Sequence, residues 1–203
     1  MMRLLSGIIP TKGAVMAAKR KPTPKPHSSR PPRRDPPGPT KAPDAIGLCR
    51  VPGKDVFELV FPRCVRDRQD DLEEVRAMLD AGEIDVAVDE LRWLLVGCNV
   101  LLEAHKLLGE VALGEDDLIL ARNHFGFAYE MGLEALGPKF SGTLPYTRKA
   151  NQLFFEAGKG LAWSLKQLGE PKLAKEVADQ LLALDPTDPL GLKAMLQERG
   201  PHR

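Results

Sequence analysis

Residues 100–131 read VLLEAHKLLGEVALGEDDLILARNHFGFAYEM. Two apolar-periodic stretches, about 100–113 and 118–131, flank a short acidic break at Gly114-Glu115-Asp116-Asp117. Apolar residues at three- and four-residue steps predict two helices joined by a tight turn. Within this stretch Asp116, Ala121 and Phe125 set a frame. Thirty-four residues earlier the frame reads Gly82, Ala87 and Leu91. Fifty-three residues later, one period of 34 plus an insert of 19, it reads Gly169, Ala174 and Ala178. Self-similarity near 34 residues marks stacked helix–turn–helix units.

Working outward, the first pair is predicted at about 68–81 and 84–96. Its apolar residues are Leu72, Val75, Met78 and Leu79, then Val88, Leu91, Leu94 and Leu95. The third pair is predicted at about 148–168 and 171–184. Gly82, Gly114 and Gly169 stand where a left-handed C-cap suits glycine. A last helix, 188–199, is predicted from the cap residue Asp188 and Pro189 to Gly200-Pro201. Residues 55–65 (DVFELVFPRCV) are expected to form a short helix or strand capping the first unit. Strand signals are otherwise nearly absent.

The pattern W-x2-L-G-x2-Y, A-x3-F, P describes the tetratricopeptide repeat. In the second unit Leu108-Gly109 falls at L-G and Ala121-x3-Phe125 at A-x3-F, while His105 and Ala112 stand where Trp and Tyr are expected. Leu161-Ala162, Leu165, Gly169, Ala174 and Pro186 fit the frame in the third unit. Val75, Met78, Gly82, Ala87, Leu91 and Leu94 fit it in the first. The chain resembles a tetratricopeptide-repeat protein with three degenerate units at about 68–101, 102–135 and 155–188. The resemblance implies an all-α solenoid of three helix pairs with a capping helix. Small residues at 109, 121, 162 and 174 would let helices approach, and large ones at 91, 108, 125, 161 and 165 would fill between them. One such unit cannot bury its own face, so about three plus caps are needed.

The resemblance also implies that the first helix of each pair lines a groove. It assigns Leu72, Arg76 and Leu79 to that groove, then Glu103, Lys106 and Glu110, then Glu156, Lys159, Trp163 and Lys166. Some relatives clamp a partner's C-terminal carboxylate with a Lys/Asn pair. Lys106 matches the lysine, but Glu110 replaces the asparagine. Arg76, Lys159 and Lys166 could pair with an acidic peptide and Trp163 could anchor it; the alternative is a solvated helix face. The insert, 134–147 (EALGPKFSGTLPYT), exceeds the usual helix–helix connection. Phe140 and Tyr146 either contact a partner or pin the loop to its neighbours.

Composition divides the chain. Residues 1–54 hold 12 Lys/Arg against Asp35 and Asp44, net +10, with 11 of the 18 prolines. Residues 55–203 hold 17 Lys/Arg against 26 Asp/Glu, net −9. A charged, proline-rich, aromatic-free segment buries too little to offset its ordering entropy, so 1–54 is expected to be a disordered basic tail. Residues 19–43 should populate extended polyproline conformations. The tail could contact nucleic acid through phosphates, fold onto the acidic body, or act as a tether. The first residues suit either an organelle transit peptide or a plain tail with translation starting at Met16.

Cys49, Cys64 and Cys98 are too few and scattered for a disulfide framework, which points to a reducing, cytoplasmic setting with Cys64 and Cys98 as core residues. His105 and His124 lack a third ligand by spacing. No GxSxG, P-loop or GxGxxG is present. The expectation is a non-enzymatic protein-binding scaffold without cofactor or metal, taking a protein or peptide partner.

Overall fold

A computed structural model of the chain describes residues 45–198. Their elements are β1 (Gly47–Arg50), β2 (Phe57–Val60), α1 (Arg63–Arg66), α2 (Gln69–Asp80), α3 (Ile84–Gly97), α4 (Leu102–Gly114), α5 (Leu118–Leu136), α6 (Lys149–Gln167), α7 (Pro171–Leu184) and α8 (Leu192–Gln197). The described chain is mostly helical, and each helix from α2 to α7 packs on the next. The readings of 1–44 as tether, targeting peptide, polyproline segment or nucleic-acid contact lie outside the described residues. So does the expected stop at Gly200-Pro201.

Three turns share one hydrogen-bond pattern. The Gly82 N–H donates to Leu79 O and Glu83 N–H to Met78 O, 2.9 Å. Asp116 donates to Leu113 O and Asp117 to Ala112 O, 2.9 Å. Gly169 donates to Lys166 O and Glu170 to Leu165 O, 2.9 Å. Each closes a helix by returning an N–H to a carbonyl five residues back, which requires a left-handed residue between. Gly82, Asp116 and Gly169 supply it, with φ of 77°, 61° and 81°. The expectation for Gly114 is thereby corrected. Gly114 is the last residue of α4, and Asp116 takes the left-handed conformation that Asp tolerates better than most side chains. Asp117 then caps α5, its carboxylate accepting from Leu120 N–H at 2.9 Å.

The frame residues are the ones buried. Ala87, Leu91, Ala121, Phe125, Ala174 and Ala178 are at most 2% exposed. Phe125 lies against both Gly109 and Gly160, where an added Cβ would come within 2.9 and 2.7 Å of its ring. The core forms two clusters. One runs from Val65 through α2, α3 and α4, and the other centres on α5, α6 and α7.

Other expectations need correction. Residues 45–54, read as tail, include β1, which pairs antiparallel with β2 from Gly47↔Val60 to Arg50↔Phe57. Averaging composition over 54 residues hid a four-residue strand. This hairpin packs on α5 and α6 rather than on the first unit, burying Ile46 and Leu59 in the second cluster. Only α1, through Val65, joins the first cluster. The last helix is shorter than 188–199. Its first amides, Leu192 and Lys193, donate to the Asp188 carboxylate, so the cap residue works from four residues ahead of the helix.

Helix α5 runs to Leu136 and takes in the first residues of the predicted insert. Leu144 is fully buried and donates its N–H to Leu184 O at 3.0 Å. Cys64 and Cys98 form a disulfide, their Cα atoms 5.8 Å apart. They stand 34 residues apart, one frame period, so a helix pair that doubles back returns the chain to its start. The bond removes the counting argument for a reducing compartment. Cys49 is free and exposed. Among the described residues no helix is long and apolar enough to cross a membrane.

Candidate functional site

On the side formed by α2, α4 and α6, the charged residues close on one another. Arg76 of α2 pairs with Glu103 of α4. Lys106 reaches Glu110 at 2.8 Å and Glu156 of α6 at 3.5 Å. The Tyr146 hydroxyl donates to the same Glu156 at 3.0 Å. Lys106 is largely buried, which by itself disfavours its charge. The two carboxylates outweigh that burial and hold its pKa above the ordinary lysine value. Burial, with the Glu156 hydrogen bond and charge, pushes the Tyr146 phenol up as well.

The structure thus holds Arg76 on Glu103, and Lys106 on Glu110 and Glu156, in a ladder of two separate pairings satisfied within the chain. The Lys106–Glu110 contact occupies the lysine that a carboxylate clamp would use. Lys166 does not belong to the ladder. It stands about 15 Å further along α6 and donates to the carbonyls of Met195 and Glu198, closing the C-terminal end of α8. Trp163 is half-buried against the core, and Lys159 has no ion-pair partner among the described residues. Leu72 is a correction: it is fully buried in the first cluster and lines no groove.

Phe140 and Tyr146 pin the insert. Phe140 meets Phe57 edge-on with centroids 5.1 Å apart, and Tyr146 meets Phe155 edge-on at 6.0 Å. Two polar residues that sequence reasoning passed over hold this region. Asn151, fully buried, accepts from Leu59 N–H at 3.0 Å and donates to Phe57 O and Pro145 O at 3.1 and 2.9 Å. Its position on the buried face of α6, three residues before Phe154, was the available signal. Asp185 accepts from Tyr146 N–H, Thr187 N–H and the Thr187 hydroxyl. Burial works against its charge, but these hydrogen bonds hold its carboxyl below the ordinary range.

On the other side, two troughs repeat. One, about 390 Å³, lies among α3, α4 and α5; the other, about 380 Å³, lies among α5, α6 and α7. The frame superposes their linings. Asp89 and Arg92 correspond to Asn123 and Gly126, Leu108 and Ala112 to Leu161 and Leu165, and Leu120 to Leu173. The first trough carries Arg92 where the second has the bare backbone of Gly126, and His124 where the frame places Val177. At the second stand the exposed apolar side chains Phe127, 55% exposed, and Leu173, 45%. Phe127 follows buried Phe125 by two positions, about 200° round the helix, so the periodicity already put it on the outer side.

His105 and His124 meet across α4 and α5 with their Nδ1 atoms 3.2 Å apart, so one carries the proton and donates to the other. His105 also stacks on Phe127 at 5.5 Å. Burial first, then the nearby His124, lowers the His105 pKa to about 4. Burial and the Arg92 charge lower that of His124. The pair is therefore neutral at pH 7 and works as a polar tie between two helices. Among the described residues no group of three or more His, Cys, Asp or Glu side chains could hold a metal ion. No family model matches the chain, and no curated protein or solved structure matches it. The geometry offers one face on which Arg76, Lys106 and Lys166 are held within the chain, and one whose apolar side chains and carboxylates meet solvent.

Proposed function

We propose that the chain is a non-enzymatic interaction module, an α-solenoid of three tetratricopeptide-like helix pairs that holds a peptide or helix of another protein. The observation that supports this reading is the recurrence of one turn geometry at Gly82, Asp116 and Gly169, with buried Ala87, Ala121 and Ala174 five residues after each. Units of this kind stack into extended surfaces that suit macromolecular partners better than small substrates.

The test is in-cell photo-crosslinking from the full chain. One crosslinking residue is placed at Lys159, on the α2–α4–α6 side, and in a second variant at Ile119, on the α5 side. Discrete adducts with another protein at either position are expected. Their absence at both sinks the reading. The alternative, nucleic-acid association through the basic residues 1–54, is motivated by their net charge of +10. Binding of DNA or RNA measured at two salt concentrations decides it, since phosphate contacts weaken steeply with salt.

A further inference from the structure

We propose that the trough between α5 and α7 is the docking site for a basic amphipathic helix of a partner protein, seated by two apolar anchors seven residues apart. This rests on the interaction-module reading and names the surface and the partner chemistry.

Two separate cavities lie along α5 and α7, and the proposed site takes them as its two stations. The first is the 380 Å³ cavity floored by Leu161 and Leu165 and flanked by Phe127 and Leu173. The second, about 650 Å³, opens where α5 ends and is lined by Leu133, Leu136, Phe140 and Leu184. Both α5 and α7 border each station. The step from Gly126 to Leu133 on α5, and from Leu173 to Gln180 on α7, is seven residues, about 10.5 Å of helix rise. A partner helix lying along the trough presents side chains at i and i+7 with that separation.

Gly126 keeps the first station open, and packing does not require it. An added Cβ would meet only Leu161 Cδ1, at an ordinary 3.8 Å. The other glycines inside α4, α5 and α6 differ. A Cβ at Gly109, Gly132, Gly158 or Gly160 would come within 2.1–2.9 Å of a neighbouring side chain. A helix-interior glycine costs stability relative to alanine, so one that packing does not demand leaves the approach of an outside group as its physical use. The preceding unit carries Arg92 at the equivalent place, so its trough, of about the same size, presents a cation there instead of open backbone.

Charge supplies the sign of the partner. Glu130 and Glu170 border the first station and Glu134 the second. None of the three carboxylates has an ion-pair or hydrogen-bond partner among the described residues. One cation, Arg122, lines the trough, and it donates to Asn123. Three unpaired carboxylates beside exposed apolar surface favour Lys or Arg on the margins of the bound helix.

The test is selection from a displayed library of 16-residue peptides, apolar residues held at i and i+7 and all other positions randomised. The bait is the full chain, counter-selected against Gly126→Arg, which places a long cationic side chain at the first station and improves helix propensity. Enrichment of Lys/Arg-rich helical peptides is expected, with at least tenfold weaker binding to Gly126→Arg and a melting temperature no lower than the original. Affinity should fall with added salt, and less steeply in the Glu130→Gln/Glu134→Gln/Glu170→Gln variant. No enrichment over the counter-selected bait, or enrichment of acidic or uncharged peptides, overturns the proposal. So does a concentration-dependent dimer abolished by Gly126→Arg, which would assign the trough to a second copy. Cellular crosslinks at Lys159 without any at Ile119 would keep the interaction module and reject this trough.

Discussion

The side of the helical body built from α2, α4 and α6 and the trough between α5 and α7 both carry cations and carboxylates, yet they use them in opposite ways. On the first, Arg76, Lys106, Glu103 and Glu156 link neighbouring helices, and Tyr146 adds the insert to the same chain of contacts. On the second, Glu130, Glu134 and Glu170 stand unpaired beside Phe127 and Leu173. A charge held by a neighbour in the same chain is part of the fold. A charge left beside exposed apolar surface is available to something else.

The comparison breaks most sharply at Asn151, which holds the hairpin and the insert to the first side. Asn151→Ala leaves a buried N–H and two carbonyls without their partner and should cost about 2–4 kcal/mol in chemical denaturation. A loss under about 0.5 kcal/mol would mean that the hairpin contributes nothing to the body.

The histidine tie is tested by acid. His105 and His124 have folded pKa values below their unfolded ones, so the unfolded chain binds protons first as pH falls. Their contribution to stability is complete above about pH 6.5 and declines as pH drops toward the His105 value of about 4. The decline between pH 7 and 4 should be on the order of 1–3 kcal/mol. His105→Gln/His124→Gln should flatten that slope, and an unchanged slope would show that other groups set it.

The two sets of charges separate next. Lys106→Met strands Glu156 beside Tyr146 and should cost about 1 kcal/mol. Glu130→Gln and Glu134→Gln should stay within about 0.5 kcal/mol of the original, because they break no internal contact. Equal losses at all three positions would erase the distinction between the two sides. One further effect has the opposite sign. Gly126→Ala should stabilise by about 0.5–1 kcal/mol, whereas Gly109→Ala should destabilise by forcing a Cβ into Phe125.

The helices, and the turns at Gly82 and Gly169, were legible because their causes are local; at the second turn the left-handed residue is Asp116 rather than the expected Gly114. The three- and four-residue apolar steps set α2 through α7 to within a few residues. Pro171 sits at the first position of α7, where its missing N–H costs nothing. The candidate groove was legible only as a set of positions. Spacing placed Arg76, Lys106 and Lys166 on first helices of pairs, but not that two of them were occupied by Glu103, Glu110 and Glu156 and the third by the end of α8. Phe127 was readable from its angle to Phe125. The meeting of His105 with His124 was not, since each lies on a different helix and their distance depends on how α4 and α5 pack.

What the chain determined by itself is its recurring unit: helix lengths, left-handed turns at Gly82, Asp116 and Gly169, and small buried residues after each. These follow from backbone sterics and periodicity within a few turns of helix. Only the tertiary structure decided that Cys64 bonds Cys98, that the β1–β2 hairpin rests on α5 and α6, and that Lys106 is held from both sides. It also decided that Gly126 lines a trough whose counterpart one unit earlier is lined by Arg92. Each of these is a distance between elements far apart in sequence, and such distances are set by packing that no single segment encodes.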